Sequence, residues 1–195
     1  SEMCIRDRFE SEVLRKMKAT GVVRRIDDLG RVVIPKEIRR TMRIREGDSL
    51  EIFVNQSGEV VLKKYSPIAD ISAFAQQYAD AMQASTKKGI LIVDREDIIA
   101  ASGEIKKQYL NRRVSRPLSD MIENRTSKIA EGKEVLEIVD GETTERSFVM
   151  IPIISNGDSL GAVILVGTEE DELVNELDIN SAKIATSFLG KYLEG

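Results

Sequence analysis

The stretch that decides the fold is residues 20–45, TGVVRRIDDLGRVVIPKEIRRTMRIR. It contains two runs, VVRRI at 22–26 and RVVI at 31–34, that are rich in the β-branched side chains favoured in strands. Between the runs, DDLG at 27–30 ends in a glycine and predicts a turn. The proline after the second run would end a strand and suits the first turn of a helix. We therefore expect a β-hairpin followed by a short helix over residues 36–42.

The residues that follow complete a small module that is too short to fold alone. Residues 50–54 and 59–63 are predicted strands, joined by the loop NQSG at 55–58. A module spanning 17–65 rarely buries enough surface for a stable core, and it holds no cysteine or histidine to bind a structural metal. Its alternating apolar residues still require burial. The sequence therefore predicts that two copies share one core as a homodimer.

Charge is distributed unevenly along the chain. Residues 17–64 carry eleven Lys and Arg against seven Asp and Glu, a net charge of +4, whereas residues 65–195 carry −8. Arginine suits bidentate contact with phosphates and guanine edges, so a basic module on an acidic domain indicates nucleic-acid binding. The candidate DNA-binding residues are Arg24, Arg25, Arg31, Arg39 and Arg40. The alternative is that these arginines are solvated charges paired with Asp27, Asp28 and Glu37.

Residues 20–45 resemble the AbrB-type DNA-binding domain of bacterial transition-state regulators. The resemblance rests on VRRIDDLGRVVIP at 23–35 and EIRR at 37–40. It implies an all-β swapped-hairpin dimer with one short helix, and Asp27 and Asp28 as residues that orient the loop. It implies double-stranded, A/T-rich promoter DNA as the partner, read largely through shape and phosphate contacts. The family's DNA contacts fall at Arg24, Arg31, Arg39 and Arg40, with Arg25 as a fifth candidate.

Residues 66–195 are predicted to form a second, α+β domain. Ser66 and Pro67 mark its start and suit the beginning of a helix, and a second helix over about 172–193 closes the chain. Asn156 and Gly157 predict a tight hairpin turn. The predicted strands cover 89–93, 98–101, 134–139, 148–154 and 160–166. The pattern therefore indicates an antiparallel sheet flanked by helices.

The order of these elements resembles a GAF domain, which implies a sensory and oligomerisation role and a small-molecule effector of unknown identity. Apolar stripes on the first and last helices of the domain predict a further association surface, and with it a homotetramer. Six basic residues are candidates for an anion site, with a solvated helical surface as the alternative: Lys106, Lys107, Arg112, Arg113, Arg116 and Arg125.

Composition argues against catalysis, cofactors and membranes. The chain has no histidine, so Ser-His-Asp, Cys-His and His-metal sites are excluded, and it has no G-x-S-x-G motif. It has no apolar run of membrane length and no export signal, and its one cysteine, Cys4, cannot form an internal disulfide. We therefore expect a cytoplasmic protein that is not an enzyme and needs no metal or cofactor.

The sequence thus predicts a DNA-binding transcriptional regulator, and its two-domain arrangement resembles regulators of sporulation. Whether binding activates or represses transcription stays open. Two alternatives are an antitoxin that binds DNA, and a small-molecule-binding or enzymatic protein built on the GAF-like half. We expect residues 1–16, SEMCIRDRFESEVLRK, to be a non-native or disordered extension, with a short helical arm as the alternative.

Overall fold

The computed structural model describes residues 20–169 and 172–194. The chain divides into two compact units, the first ending at Lys64 and the second beginning at Tyr65. The prediction for residues 1–16 lies outside the described residues.

The first unit consists of one short helix and one β-hairpin. Helix α1 spans Lys36–Thr41, and strands β1 (Leu50–Val54) and β2 (Val60–Lys64) pair antiparallel, with Leu50 opposite Lys64. These three elements confirm the predicted helix and the second predicted hairpin. The loop between the strands closes where the Gly58 amide donates to the Asn55 carbonyl at 3.1 Å.

The first predicted hairpin is wrong for the single chain. Residues 22–26 and 31–34 flank a turn as expected, but neither run forms a strand. The turn between them is closed by a backbone hydrogen bond from the amide of Asp27 to the carbonyl of Arg31 at 3.1 Å. A two-stranded hairpin is marginal in water unless a further strand or an apolar face supports it, and a single chain supplies neither to these runs.

The second unit is a five-stranded antiparallel sheet with helices on both faces. The strand order is β4-β3-β7-β6-β5. The pairs β3–β4, β5–β6 and β6–β7 are hairpins, whereas β4 and β5 lie at opposite edges and β3 pairs with β7. The elements in chain order are α2 Pro67–Asp70, α3 Ser72–Thr86, β3 Gly89–Asp94, β4 Ile98–Ser102, α4 Lys106–Tyr109, α5 Arg116–Glu123, β5 Lys128–Val139, β6 Glu142–Ser155, β7 Asp158–Val166 and α6 Glu176–Tyr192. The predicted α+β architecture is therefore confirmed.

Alternation along the strands builds a separate core on each face of this sheet. On β7, Ala162, Ile164 and Val166 face the side of α4 and α5. The intervening Val163 and Leu165 pack with residues of α3 and α6 on the other side. All five are buried, as expected for a central strand covered on both faces.

Local signals explain where the turns and helices of the second unit begin. Asn156 and Gly157 both have positive φ, 48° and 83°, which is the type I′ geometry that the Asn-Gly pair predicts. The last helix begins four residues later than expected. Asn175 forms a capping box with Asp178, so the chain before Glu176 stays extended.

A buried charge cluster ties this late helix start to the sheet. Lys88, which is 5% exposed, forms an ion pair with Glu172 and lies 4.0 Å from a carboxylate oxygen of Asp178. Glu172 also accepts hydrogen bonds of 2.7 Å from the amide and the hydroxyl of Thr168. Burial would raise the pKa of Glu172, but the hydrogen bonds from Lys88 and Thr168 lower it to about 2.

Replacing Lys88 with methionine should strongly destabilise the second unit, because it leaves the carboxylates of Glu172 and the buried Asp178 without their shared cation. We expect a loss of about 3–5 kcal/mol in the free energy of unfolding at pH 7, measured by chemical denaturation. The carboxylate contributes fully above its ordinary pKa of 4.5, and its contribution is lost as the pH falls toward 2. The difference between wild type and variant should therefore shrink over that pH range.

Lys87→Met is the matched control, since Lys87 is the exposed neighbour of Lys88. We expect it to change the free energy of unfolding by less than about 0.5 kcal/mol. Equal effects of the two substitutions at pH 7 would show that the charge cluster does not hold the last helix.

Candidate functional site

The described surface of the first unit is apolar to an extent that a single folded chain does not tolerate. None of residues 20–64 is buried. Ten aliphatic side chains are 42–84% exposed: Val22, Val23, Ile26, Leu29, Val32, Val33, Ile52, Val54, Val60 and Leu62. Single exposed apolar residues are ordinary, but this concentration marks a surface that is covered by another molecule.

The turn between the two apolar runs is organised by Asp27. One oxygen of its carboxylate accepts hydrogen bonds from the backbone amides of Leu29, at 3.0 Å, and Arg31, at 2.8 Å. Its other oxygen accepts from Nε of Arg31 at 2.8 Å. Gly30 closes the turn with φ of 77°, a conformation open to glycine at little cost. The carboxylate thereby fixes both the loop and one of the candidate arginines.

The same contacts shift the ionisation of Asp27. The backbone hydrogen bond from Arg31 lowers the pKa of the carboxyl group most, followed by the side-chain contact with the Arg31 guanidinium. The charged form, which can accept all three hydrogen bonds, is therefore retained well below neutral pH. Desolvation opposes this effect only weakly, because the carboxylate is solvent-accessible.

All five predicted DNA-binding arginines are exposed. Arg39 and Arg40 lie in the last turn of α1, while Arg24 and Arg25 lie in the first apolar run. The side chain of Arg31 keeps 70% of its surface exposed despite its contact with Asp27. Apart from that contact, none of the five forms an ion pair with a carboxylate in the described ranges. The alternative of neutralised surface charges therefore accounts for Arg31 alone.

Other basic residues of the first unit are committed to its own structure. Lys64 forms an ion pair with Asp48 at 3.1 Å and donates a hydrogen bond to the Arg43 carbonyl at 2.9 Å. These contacts tie the end of β2 to the segment after α1. Lys64 is thus a structural residue, unlike the exposed arginines.

The second unit contains a cavity of about 230 Å³ on the α4 side of its sheet. It is lined by Ile105, Gln108, Tyr109, Ile138, Thr143, Thr144, Arg146, Val166, Gly167 and Thr168. Ile138, Val166 and Tyr109 form a buried apolar floor, while the threonines and Arg146 supply polar groups. Sequence reasoning missed Arg146. The signal for Arg146 was its position on β6. It lies two and four residues before Phe148 and Met150, which belong to the core on the α4 and α5 side of the sheet.

The six basic residues proposed as an anion site do not converge on one place. Arg112 pairs with Glu142 through two contacts of 2.5 and 2.8 Å, and Arg113 pairs with Glu96 at 2.5 Å. Lys106 lies 4.0 Å from Asp80, and Arg125 donates to the Gly157 carbonyl. The hydrogen bond from Arg112 lowers the pKa of Glu142. The solvated surface is therefore the better interpretation of this group.

The outer face of the second unit's last helix is also apolar. Leu177, Ile184, Phe188 and Tyr192 follow a helical spacing on α6 and are 42–76% exposed. Beside them, rings from α3 stack on rings from α6. The centroids of Phe74 and Tyr192 lie 4.8 Å apart, and those of Tyr78 and Phe188 lie 5.5 Å apart. We call these exposed residues of α6, with Phe74 and Tyr78, the aromatic helix face.

Residues 20–169 and 172–194 lack two features that mark other functional classes. No cluster of Cys, Asp and Glu side chains there is arranged to hold a metal ion. No helix in those ranges combines the length and the apolar character needed to cross a membrane.

Two family models match the chain, one for each unit. Residues 70–194 match the model described as stage V sporulation protein T C-terminal, transcription factor. Residues 23–70 match the model described as antidote-toxin recognition MazE, bacterial antitoxin. The first match covers more than half of the chain.

Relatives and a solved structure agree with this division. The chain is 48% identical to stage V sporulation protein T of Bacillus subtilis over 179 residues, which cover 91% of the chain and 99% of that protein. It is 40% identical over 95 residues to the transition state regulatory protein AbrB of the same organism, covering 49% of the chain and 96% of AbrB. The GAF domain of PixJ from Thermosynechococcus elongatus is 14% identical with a TM-score of 0.51, over 67% of this chain and 89% of that one, which supports the GAF fold. The chain belongs to the stage V sporulation protein T family of transcription factors.

Proposed function

We propose that this protein regulates sporulation genes by binding A/T-rich promoter DNA through the exposed arginines of paired first units. The observation that carries the proposal is the combination, in residues 20–64, of uncovered apolar side chains and five exposed arginines, at positions 24, 25, 31, 39 and 40. A second copy would cover the former and double the latter. Both requirements arise in one short segment, so pairing and DNA binding are linked.

The apolar surface supports a dimer formed by interlaced hairpins. Burying a Val, Leu or Ile side chain contributes about 1.5–3 kcal/mol, and ten such side chains are exposed in the single chain. The runs 22–26 and 31–34 also leave backbone donors and acceptors without strand partners. Pairing with the same runs of a second copy would satisfy both needs at once.

The positions of the arginines favour a DNA-contacting role within that dimer. Asp27 holds the backbone and Nε of Arg31, which orients its guanidinium at low entropic cost. Arg39 and Arg40 follow each other at the end of α1, where they are free of carboxylate partners in the described chain. Five exposed arginines per copy would supply about 6–8 phosphate contacts per dimer, with the remainder available to base edges.

Substitution of the arginines should weaken DNA binding and flatten its dependence on salt. For the intact protein, we expect the logarithm of affinity to fall with log salt at a slope of about −5 to −7. Arg24→Ala, Arg31→Ala and Arg39→Ala should each cost about 1–3 kcal/mol of binding and reduce the slope by about 1–2. Fluorescence anisotropy with A/T-rich duplex DNA over a salt series measures both quantities.

Arg116→Ala is the control, because Arg116 is an exposed arginine of the second unit and the substitution makes the same change in charge. It should leave the affinity and slope within error of the wild type. If all four substitutions have the same small effect, the arginines of residues 24–39 do not face DNA.

We further propose that the aromatic helix face joins two dimers into a tetramer. Its exposed residues on α6 recur at intervals of seven and four, the spacing of a helix-packing seam. The face lies on the side of the sheet away from the cavity, where α3 and α6 pack together. Because this face lies on the second unit, it can connect two dimers without competing with the apolar surface of the first unit, which forms each dimer.

Ile184→Glu should reduce the tetramer to a dimer without unfolding the chain, because it places a charge at the centre of the exposed seam. Sedimentation equilibrium measures the mass. Lys183→Ala, at the neighbouring exposed position, makes the same one-unit change in charge and should leave the tetramer intact. A tetramer that persists with Ile184→Glu would show that the contact between the two dimers lies elsewhere.

The two alternative functions have less support. The antitoxin description matches residues 23–70 only, whereas the stage V sporulation protein T relative aligns over both units. An enzymatic second unit would need a catalytic group, and the chain has no histidine. We therefore propose that the protein acts in the cytoplasm by binding and that a small molecule in the second unit modulates it.

A further inference from the structure

The cavity of the second unit holds an arginine in an unusual setting. The Arg146 side chain is half-buried, yet it forms no hydrogen bond or salt bridge with any residue that the structure describes. Glu142, which lies four positions earlier on β6, accepts hydrogen bonds from both terminal nitrogens of Arg112. A partly desolvated guanidinium without a carboxylate is costly unless something else supplies negative charge.

A second polar group in the cavity is also unpartnered. Tyr109 is 4% exposed and lines the cavity, and its hydroxyl makes no hydrogen bond in the described ranges. Burial raises the pKa of Tyr109, so the phenol remains a neutral donor at pH 7. Thr144 adds a hydroxyl to the same wall, whereas the hydroxyl of Thr168, also in the lining, already donates to Glu172. Most of these polar groups can donate a hydrogen bond, and the one charge is positive.

We infer that this cavity binds a small organic anion, with its carboxylate on Arg146 and a short apolar body against Ile138 and Val166. The inference rests on the proposed modulation by a small molecule and names the chemistry of that molecule. Arginine binds a carboxylate through two parallel charge-assisted hydrogen bonds, which fixes the orientation of the ligand. The volume of about 230 Å³ limits the ligand to a molecule smaller than a typical drug.

The cavity also has a physical connection to the last helix. Thr168 lines the cavity, and its amide and hydroxyl both donate to Glu172. Glu172 pairs with Lys88, which lies beside Asp178 in the capping box of α6. A ligand that engages Thr168 therefore acts on the cluster that holds the start of α6, the helix that bears the aromatic helix face.

Butanoate is a suitable probe because it combines a carboxylate with a short apolar body. We expect it to shift the amide resonances of Thr144 and Thr168 in the intact protein, with a Kd in the millimolar range for so few atoms. Arg146→Gln should weaken this binding at least tenfold, since the charge-assisted pair is lost. Butanamide, the neutral isostere, and inorganic phosphate, which lacks the apolar body, should bind much more weakly than butanoate.

Arg113→Gln is the matched control, because Arg113 is paired with Glu96 and does not line the cavity. It should leave the Kd for butanoate unchanged. Binding that is unaffected by Arg146→Gln, equally strong binding of butanamide, or no shift with butanoate would overturn the proposed site. DNA affinity of Arg146→Gln without ligand should equal that of the wild type, so failure of this site and failure of DNA binding are distinguishable.

Transmission to the last helix is tested in the same titration. Butanoate should also shift the amides of Leu177 and Asp178 in the wild type, and Glu172→Gln should abolish these distant shifts while those at Thr144 remain. Distant shifts that persist in Glu172→Gln would show that the Thr168 and Glu172 contacts do not carry the change.

Discussion

The constraint on which the structure depends is that residues 20–64 cannot bury their own apolar side chains. In the single chain, no residue of this range is buried, although its sequence alternates as strands do when they cover a core. Folding of the first unit is therefore coupled to association with a second copy. Coupled folding makes the DNA-binding surface conditional on the dimer, because the loop that holds Arg31 emerges from the same two runs that need a partner.

The second unit meets the opposite condition. Its sheet is covered on both faces, and the two cores bury nearly all apolar residues of the central strands. It can therefore fold without a partner and still present the aromatic helix face for association. This division suits a regulator. The second unit is stable enough to bind a ligand, while the folding of the first unit, and with it DNA binding, depends on association. A ligand changes DNA affinity only if it binds the two arrangements of the assembly unequally.

Much of this organisation could be predicted from the sequence, and the exceptions have physical reasons. The strands at 89–93, 98–101 and 160–166 and the Asn-Gly turn were predicted because their signals are local. The runs at 22–26 and 31–34 have the composition of strands but form none in the single chain. A strand there would need a pairing strand from a second copy. The start of α6 was missed although the capping box of Asn175 and Asp178 that marks it is local, whereas the contacts of Lys88 with this region are distant in sequence.

The cavity shows where sequence reasoning ends. The basic residues between 106 and 125 were candidates for an anion site by composition, but Arg112 pairs with Glu142 and Arg113 with Glu96. Arg146 carries no local motif, and it stands out only because β6 aims it in line with core positions. The exposure of the arginines at 24–40, in contrast, follows from the alternation of apolar and polar residues. The apolar side chains face the shared core, so the arginines between them face solvent.

The central claim, that the first unit folds only with a second copy, is tested most directly by hydrogen exchange as a function of protein concentration. Amides of residues 22–34 should be protected where sedimentation shows a dimer or tetramer, and they should lose that protection on dilution to the monomer. Amides of the buried strands β3 and β7 should keep their protection throughout. If residues 22–34 stay protected in a chain shown to be monomeric, the first unit has a core of its own and the account is contradicted.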